Sequence, residues 1–363
     1  MFAPGLINSV NIAITGRCNL RCEYCFYANE MVAFGDLPAA SWLDFFKELA
    51  RQKVMSVTLT GGEVFTRPDI FEIIDGVIDN HMRYSLLTNA TLVDEKIIQK
   101  FDVGKRRLRL NSIQVSVDGS SSEIHDKSRP HSFTRTIRGL RLLRQAGLPV
   151  TVRTTINRHN YLDLENIANL LLNEIQLSSF STNEAMPIGA GCDNQGDISL
   201  TSPEKAQAMK ILAGLLERFP GRITSSAGPL TKLKMYAEME HARKTGELAS
   251  SWQMGSLSAC GCIFSTLDVL HDGRIVPCHM LSDLSMGNIT THSIEEIWKT
   301  HPFLTALRNR RAIPMSQVSG CEHCSWTSYC NGSCPGLAYQ LTGDFNRANP
   351  EDCYSRFLSE TKQ

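Results

Sequence analysis

Short apolar runs rich in β-branched residues recur along the first half of the chain. Between them lie stretches whose apolar residues return at helical spacing. The runs predict strands at Asn11–Thr15, Ser56–Thr60, Ser85–Thr88, Ser112–Val117, Val150–Ile156 and Ser178–Thr182. The stretches between predict helices over about Pro38–Gln52, Pro68–His81, Asp94–Phe101, Thr134–Gly147 and Asp163–Ile175. Pro38 and Pro68 suit a first helical turn, where a missing N–H does no harm, and Gly147 followed by Pro149 suits a stop. Strands alternating with helices imply right-handed βαβ units on a parallel sheet. Six such units over residues 1–200 predict an α/β chain with a partial (β/α)6 barrel, whose site belongs at the C-terminal strand ends. Residues 201–259 read as a helical bridge, with Ser202-Pro203-Glu204 opening one helix and Pro229 to about Gly246 carrying another. Over residues 260–363 Gly, Pro and Cys are dense and periodicity is weak, which predicts a small region held by metal rather than by a large core.

Composition narrows the class. Of 363 residues, 42% are hydrophobic and 20% charged, enough to bury a core. Lys+Arg and Asp+Glu are both 37, so no basic excess points to nucleic acid or to an anionic membrane. No apolar run is long enough to span a bilayer, and the N-terminus lacks a signal layout, so a cytoplasmic protein is expected. In that setting 12 cysteines point to metal rather than to disulfides. The basic runs Lys105-Arg106-Arg107-Leu108-Arg109 and Arg308-Asn309-Arg310-Arg311 read as solvated faces.

Cys18-x3-Cys22-x2-Cys25 falls in the loop after the first strand. Three thiolates on a short loop can hold three irons of a [4Fe–4S] cube and leave the fourth open to a ligand. A zinc site or unligated cysteines are the alternatives, and no obvious fourth zinc ligand lies nearby. With Tyr24 before the last cysteine and Phe26-Tyr27 after it, this loop resembles the signature of the radical S-adenosylmethionine (SAM) superfamily. The second strand runs into Gly61-Gly62-Glu63, which resembles the family's GGE motif. There the backbone and the carboxylate meet the SAM amino group. Thr88 in Leu87-Thr88-Asn89 and Ser116 in Ser116-Val117-Asp118-Gly119 resemble the strand ends that face SAM, and Arg153 sits to reach the SAM carboxylate or the substrate. For these three, plain strand-end structure is the alternative.

The C-terminal cysteines extend the resemblance. Cys262-x10-Gly273-x4-Cys278 and Cys321-x2-Cys324-x5-Cys330-x3-Cys334, then Cys353, are similar to the seven-cysteine SPASM signature, which carries two auxiliary [4Fe–4S] clusters. The resemblance implies Cys262, Cys278 and Cys334 on one cluster and Cys321, Cys324, Cys330 and Cys353 on the other. Cys260 departs from the usual upstream spacing, and either completes the first cluster or leaves it open. Three clusters then use eleven cysteines and leave Cys192, a candidate hydrogen-atom donor or substrate contact whose alternative is an ordinary semi-buried thiol.

The expected protein is therefore a radical SAM enzyme. A reduced cluster cleaves SAM, and a 5′-deoxyadenosyl radical abstracts hydrogen from the substrate. SPASM enzymes mostly modify peptides. Phe180-Ser181-Thr182-Asn183, Ala227-Gly228-Pro229-Leu230, Cys260-Gly261-Cys262 and Cys334-Pro335-Gly336-Leu337-Ala338-Tyr339 resemble the SynChlorMet-cassette branch, related to the spliceases that excise tyramine at a Tyr-Gly site and leave an α-keto-β-amino residue in a ribosomal peptide (RiPP) precursor. A peptide crosslinker or epimerase, a sulfatase maturase, and a metal-stabilised scaffold that never cleaves SAM are the alternatives. Strand one begins near Asn11, which leaves no room for a leader-binding domain. A separate small leader-recognition protein and a flavodoxin- or ferredoxin-type electron donor are the expected partners.

Overall fold

A computed structural model of the chain describes residues 5–33, 35–248 and 252–361. Six strands follow the predicted order: β1 (Ser9–Thr15), β2 (Ser56–Gly61), β3 (Arg83–Thr88), β4 (Leu110–Ser116), β5 (Val150–Ile156) and β6 (Phe180–Glu184). All pair in parallel with their sequence neighbours, Ile12 opposite Leu59 and Ser116 opposite Arg153. The sixth strand starts at Phe180 and runs on to Glu184, because Asn183 and Glu184 still pair with Thr155 and Ile156.

The sheet continues past the six expected units on both sides. A strand β7 (Ile223–Ser225) pairs in parallel with β6, inside the segment expected to be wholly helical. It lies between the helices Ser202–Arg218 and Pro229–Thr245. At the other edge β8 (Thr266–Val269) pairs in parallel with β1, and β9 (Arg274–Val276) and β10 (Gly287–Asn288) turn back antiparallel. The order is β10-β9-β8-β1-β2-β3-β4-β5-β6-β7.

The apolar core sits outside the barrel, not in it. Val10, Ile12, Val57, Leu59, Tyr84, Leu86, Ile113, Val115 and Val152 are buried on the outer strand faces. Helix Ala39–Arg51 packs Trp42, Phe45, Phe46 and Leu49 against them, and helix Ile70–Asp79 packs Ile73, Ile74 and Val77. The alternate strand residues point inward and are mostly polar. Ile263, Leu267, Val269, Ile275, Trp298, Leu304 and Leu307 belong to the same core, so part of the cysteine-rich region is packed by apolar contact, contrary to the expectation that metal alone holds it.

The basic runs are not solvated faces throughout. Arg106 is 9% exposed and bonded to both oxygens of Asp75, while Arg308 and Arg310 are each 1% exposed. Sequence shows the charge of such a run but not which residues turn inward. Among the described residues no helix is long and apolar enough to cross a membrane.

One buried ionic network ties the barrel to the C-terminal region. Lys232 bridges Glu184 at 2.7 Å and Asp352 at 2.9 Å, and Lys205 bridges Glu184 at 3.4 Å and Glu351 at 2.8 Å. Burial pushes the Asp352 carboxyl up, and the Lys232 ammonium more than offsets this, leaving it below the ordinary range. Its contribution is therefore present above about pH 4 and lost as pH falls through the lowered folded value. Lys232→Met removes a central cation and should cost about 3–5 kcal/mol, read from the denaturant midpoint at pH 7. The variant should also lose less stability than the wild type between about pH 4 and pH 2, and an unchanged pH profile counts against the network.

Candidate active site

The chemistry-bearing loops meet at the C-terminal ends of the strands. The loop after β1 carries Cys18, Cys22 and Cys25, all half-buried. The turn after β2 is welded to it by backbone: Gly62 N–H donates to Thr15 O at 2.9 Å, and Glu63 N–H to Arg17 O at 2.8 Å. A Cβ at Gly61 would stand 2.3 Å from Thr15 O, and one at Gly62 would stand 2.1 Å from Arg17 O. Gly61 also has φ +125°, which L side chains rarely adopt. Both glycines are thus required by the contact with the cysteine loop itself, a reason distinct from close approach to a ligand.

Glu63 is fully buried. Its carboxylate accepts from Thr88 Oγ1 at 2.7 Å, Asn89 N–H at 2.7 Å and Phe65 N–H at 3.2 Å. Burial pushes its carboxyl up, opposed by these donors. Glu63 and Thr88, both predicted to face SAM, are therefore bonded to each other and fix the ends of β2 and β3 together.

The Asp118 carboxylate is a second hub, also fully buried. Its Oδ2 accepts from Tyr24 Oη and Arg129 Nε, and its Oδ1 from Thr155 N–H at 2.7 Å. Arg129 lies over the Tyr24 ring at 5.3 Å and reaches Cys22 Sγ at 3.6 Å. Burial works against the Arg129 charge, but Asp118, Tyr24 and Cys22 outweigh it and hold it protonated. His125 accepts Asp118 N–H at 3.1 Å, and burial holds it down at about 4, so it stays neutral at pH 7.

Burial, reinforced by Cys22 and Cys18, pushes the Cys25 thiol up to about 11. Thiols raised in this way are relieved by a cationic group that takes them as thiolates. Three such thiols with a guanidinium beside one of them fit an iron–sulfur cluster. Among the described residues no three His, Cys, Asp or Glu side chains converge as ligands of a single ion.

Below this loop a cavity of about 370 Å³ runs into the barrel. Asn11, Thr58, Ser85, Ser112, Gln114 and Arg153 are among its lining, with Gly61, Tyr27 and His279 nearer the cysteines. Arg153 donates weakly to Ser181 Oγ at 3.4 Å, and among the described residues no carboxylate is in ion-pair range. Ser116, the last residue of β4, stands level with it across the sheet.

The C-terminal cysteines form two groups. Cys260, Cys262, Cys278 and Cys334 lie within electrostatic reach of one another, and the Cys262–Cys260 hydrogen bond holds Cys260 low and Cys262 high. Cys260 has φ +40°, unusual for a side-chain-bearing residue. Cys321, Cys324, Cys330 and Cys353 line one small cavity with Met315 and Trp326. Cys192 belongs to neither group. It is exposed, not semi-buried, in a turn whose Ala190 N–H bonds Cys25 O at 3.0 Å.

Sequence reasoning missed Arg129, His125 and the carboxylate role of Asp118. No spacing signals a contact between residues 107 apart, as Arg129 and Cys22 are. Arg129→Met leaves the Asp118 carboxylate buried without its cation. It should lower stability by about 3–5 kcal/mol, read by denaturant titration of the iron-free chain.

Residues 12–171 match the Radical SAM superfamily, and residues 260–325 match SPASM, the iron-sulfur cluster-binding domain. The AdoMet-dependent heme synthase of Methanosarcina barkeri is 29% identical over 349 residues, covering 94% of this chain and 95% of that protein. The antilisterial bacteriocin subtilosin biosynthesis protein AlbA of Bacillus subtilis is 24% identical over 322 residues, covering 88% of this chain and 65% of AlbA. Among solved structures, Streptococcus suis SuiB bound to the precursor peptide SuiA has a TM-score of 0.72 at 15% identity, covering 96% of this chain and 76% of SuiB. That last likeness is one of fold. The first matched segment holds Cys18, Cys22 and Cys25, the second holds Cys260, Cys262, Cys278, Cys321 and Cys324 and ends before Cys330, and together they imply iron–sulfur clusters and SAM as cofactors. The chain belongs to the radical SAM superfamily, as an enzyme carrying a SPASM domain.

Proposed function

We propose that this enzyme modifies a ribosomally made precursor peptide by hydrogen abstraction. The observation that carries the reading is the barrel lumen. Its hydroxyl and amide side chains both donate and accept, which suits a peptide backbone as well as SAM. The likeness in fold to a protein crystallised with its precursor peptide, and in sequence to a bacteriocin biosynthesis protein, supports it. A bound cluster and SAM supply the 5′-deoxyadenosyl radical. The chain's own residues do the rest. Cys18, Cys22 and Cys25 hold the SAM-binding cluster, Gly61, Gly62 and Glu63 shape the cradle for the SAM amino group, Thr88 fixes the strand end that faces SAM, Ser116 contacts its methionyl or ribose part, and Arg153 reaches the SAM carboxylate or the substrate.

In its finer form the reading is splicease-type tyramine excision, resting on the sequence segments named above. It includes three [4Fe–4S] clusters, a cytoplasmic setting, a separate leader-recognition protein and a flavodoxin- or ferredoxin-type donor. Cys192, close to the cysteine loop, is the candidate hydrogen donor. Heme synthesis is a second reading, favoured by the 29% identity to the heme synthase.

Co-expression with the precursor and mass analysis separates these readings. Loss of the tyramine unit supports splicing, loss of two hydrogens means a crosslink, and an unchanged mass with altered chirality means epimerisation. Turnover of an iron porphyrin with an untouched peptide refutes the peptide reading. Changing Cys18, Cys22 and Cys25 to Ala should abolish 5′-deoxyadenosine formation and remove about one cluster's iron. Undiminished SAM cleavage in that variant would sink the assignment of the loop.

Cys260 is proposed as the fourth ligand of the first auxiliary cluster. Cys260→Ser should change the spectrum of one auxiliary cluster and leave the other two intact. An unaltered spectrum at full iron content would show the site to be open.

A further inference from the structure

Arg310 is a buried cation without a carboxylate. It is 1% exposed, and its guanidinium bonds only protein oxygens: Phe345 O from Nε, Ser258 O from Nη1, and Arg347 O at 2.7 Å from Nη2, with Ser258 Oγ a weaker contact at 3.5 Å. Among the described residues no carboxylate lies within ion-pair distance of it. Carbonyl dipoles satisfy its N–H groups but do not neutralise its charge, and an uncompensated buried charge is expensive. Cys334 acts on it electrostatically most strongly, then Asp344, which faces solvent, then Cys260.

The backbone places it there. Ser258 O, its acceptor, lies two residues ahead of Cys260. Ser258 Oγ in turn bonds Ser333 O, the residue before Cys334. One guanidinium thus grips the chain on the approach to two ligands of the first auxiliary group. Arg308 in the same run differs. It is equally buried, but it lies over the Trp298 ring at 4.5 Å, bonds Ile263 O and Trp298 O, and has no cysteine among its electrostatic partners.

We propose that Arg310 is a positioning residue for the group Cys260, Cys262, Cys278 and Cys334, clamping the turn ahead of Cys260 and supplying the positive charge that offsets its thiolates. This rests on the iron–sulfur reading of that group. Reducing a cluster there adds one negative charge, and a fixed buried cation beside it favours the reduced state. Arg310 therefore raises the reduction potential of this cluster above the value its ligands alone would set.

The test is an EPR-monitored redox titration of the full chain with its clusters, without substrate. Arg310→Gln should lower the midpoint of one auxiliary cluster by about tenfold in equilibrium constant, ~59 mV for one electron, with iron content and the other two midpoints unchanged. Arg310→Lys should recover most of the shift, and Arg308→Gln should leave all midpoints in place. An unmoved midpoint in Arg310→Gln at full iron overturns the proposal, as does an equal shift in Arg308→Gln. Where Arg310→Gln takes up less iron, Arg310→Lys decides: full iron in the lysine variant supports the charge, and iron as low as in the glutamine variant overturns it. A wild-type chain with no auxiliary signal overturns the proposal together with the iron–sulfur reading. The peptide reading is untouched by either result, because no peptide enters the measurement.

Discussion

Two backbone hydrogen bonds set the geometry of the rest of the site. Gly62 and Glu63 donate to Thr15 and Arg17, and through them the turn after β2 and the cysteine loop after β1 become one rigid body. Neither bond can form with a side chain at residue 61 or 62, since the added atom would lie within 2.3 Å of the accepting backbone. The glycines therefore serve the protein before they serve a ligand. Any SAM that meets this turn meets a surface already fixed relative to Cys18, Cys22 and Cys25. Such preorganisation is what a radical reaction needs, because a reacting atom misplaced by an ångström loses the substrate hydrogen.

A partial barrel wrapped around a site inverts the usual placement of apolar residues. In a filled (β/α) barrel the lumen is packed with branched side chains. Here those side chains face outward, against helices such as Ala39–Arg51, and the lumen holds Asn11, Thr58, Ser85, Ser112 and Gln114. Fold stability and substrate space are thereby separated. The outer layer supplies the burial, so the inner layer is free to carry hydrogen-bonding groups around a cavity of about 370 Å³. The open lumen also explains why the sheet can extend to β7 on one side and β8 on the other. The ends of the arc are covered by the bridging helices and by the cysteine-rich region.

This division governs what the sequence discloses. Strands β1 to β6 were legible because short apolar runs rich in β-branched residues recur between stretches of helical spacing. The N-terminal cysteine group was legible because its ligand spacing is local, whereas the division of the C-terminal cysteines, in which Cys334 joins Cys262 and Cys278 across Cys321, Cys324 and Cys330, was implied only by the resemblance to the SPASM signature. Strand β7 was not, since three residues, Ile223–Ser225, are too short for alternation to register, and their pairing with β6 is decided by what flanks them. The Tyr24–Asp118–Arg129 hub was not legible either. Its members lie on three separate segments, Tyr24 and Asp118 being 94 residues apart, and only the folded sheet brings them together. In Arg308-Asn309-Arg310-Arg311 composition shows four polar residues, while two of the arginines lie at 1% exposure, because a helix end turns them under the surface.

The buried charges follow a single placement. Beside each cysteine group, a residue adjacent to a ligand is tied to a buried charged partner. Tyr24, next to Cys25, bonds Asp118 beyond β4. His279, next to Cys278, meets Asp268 of β8 at 2.9 Å. Asp352, next to Cys353, meets Lys232, which is held in turn by Glu184 of β6. Apolar contact would bury these loops at lower cost, because paired charges in a protein interior often stabilise no more than well-packed hydrocarbon. It would also let them slide. A hydrogen-bonded charge fixes direction as well as distance, and a thiol one residue away inherits that fix. The strand ends thus act as anchor points, each reaching a cysteine loop through a directional bond. The stability forgone in burying charge is exchanged for sulfur atoms whose positions do not depend on a bound cluster to define them.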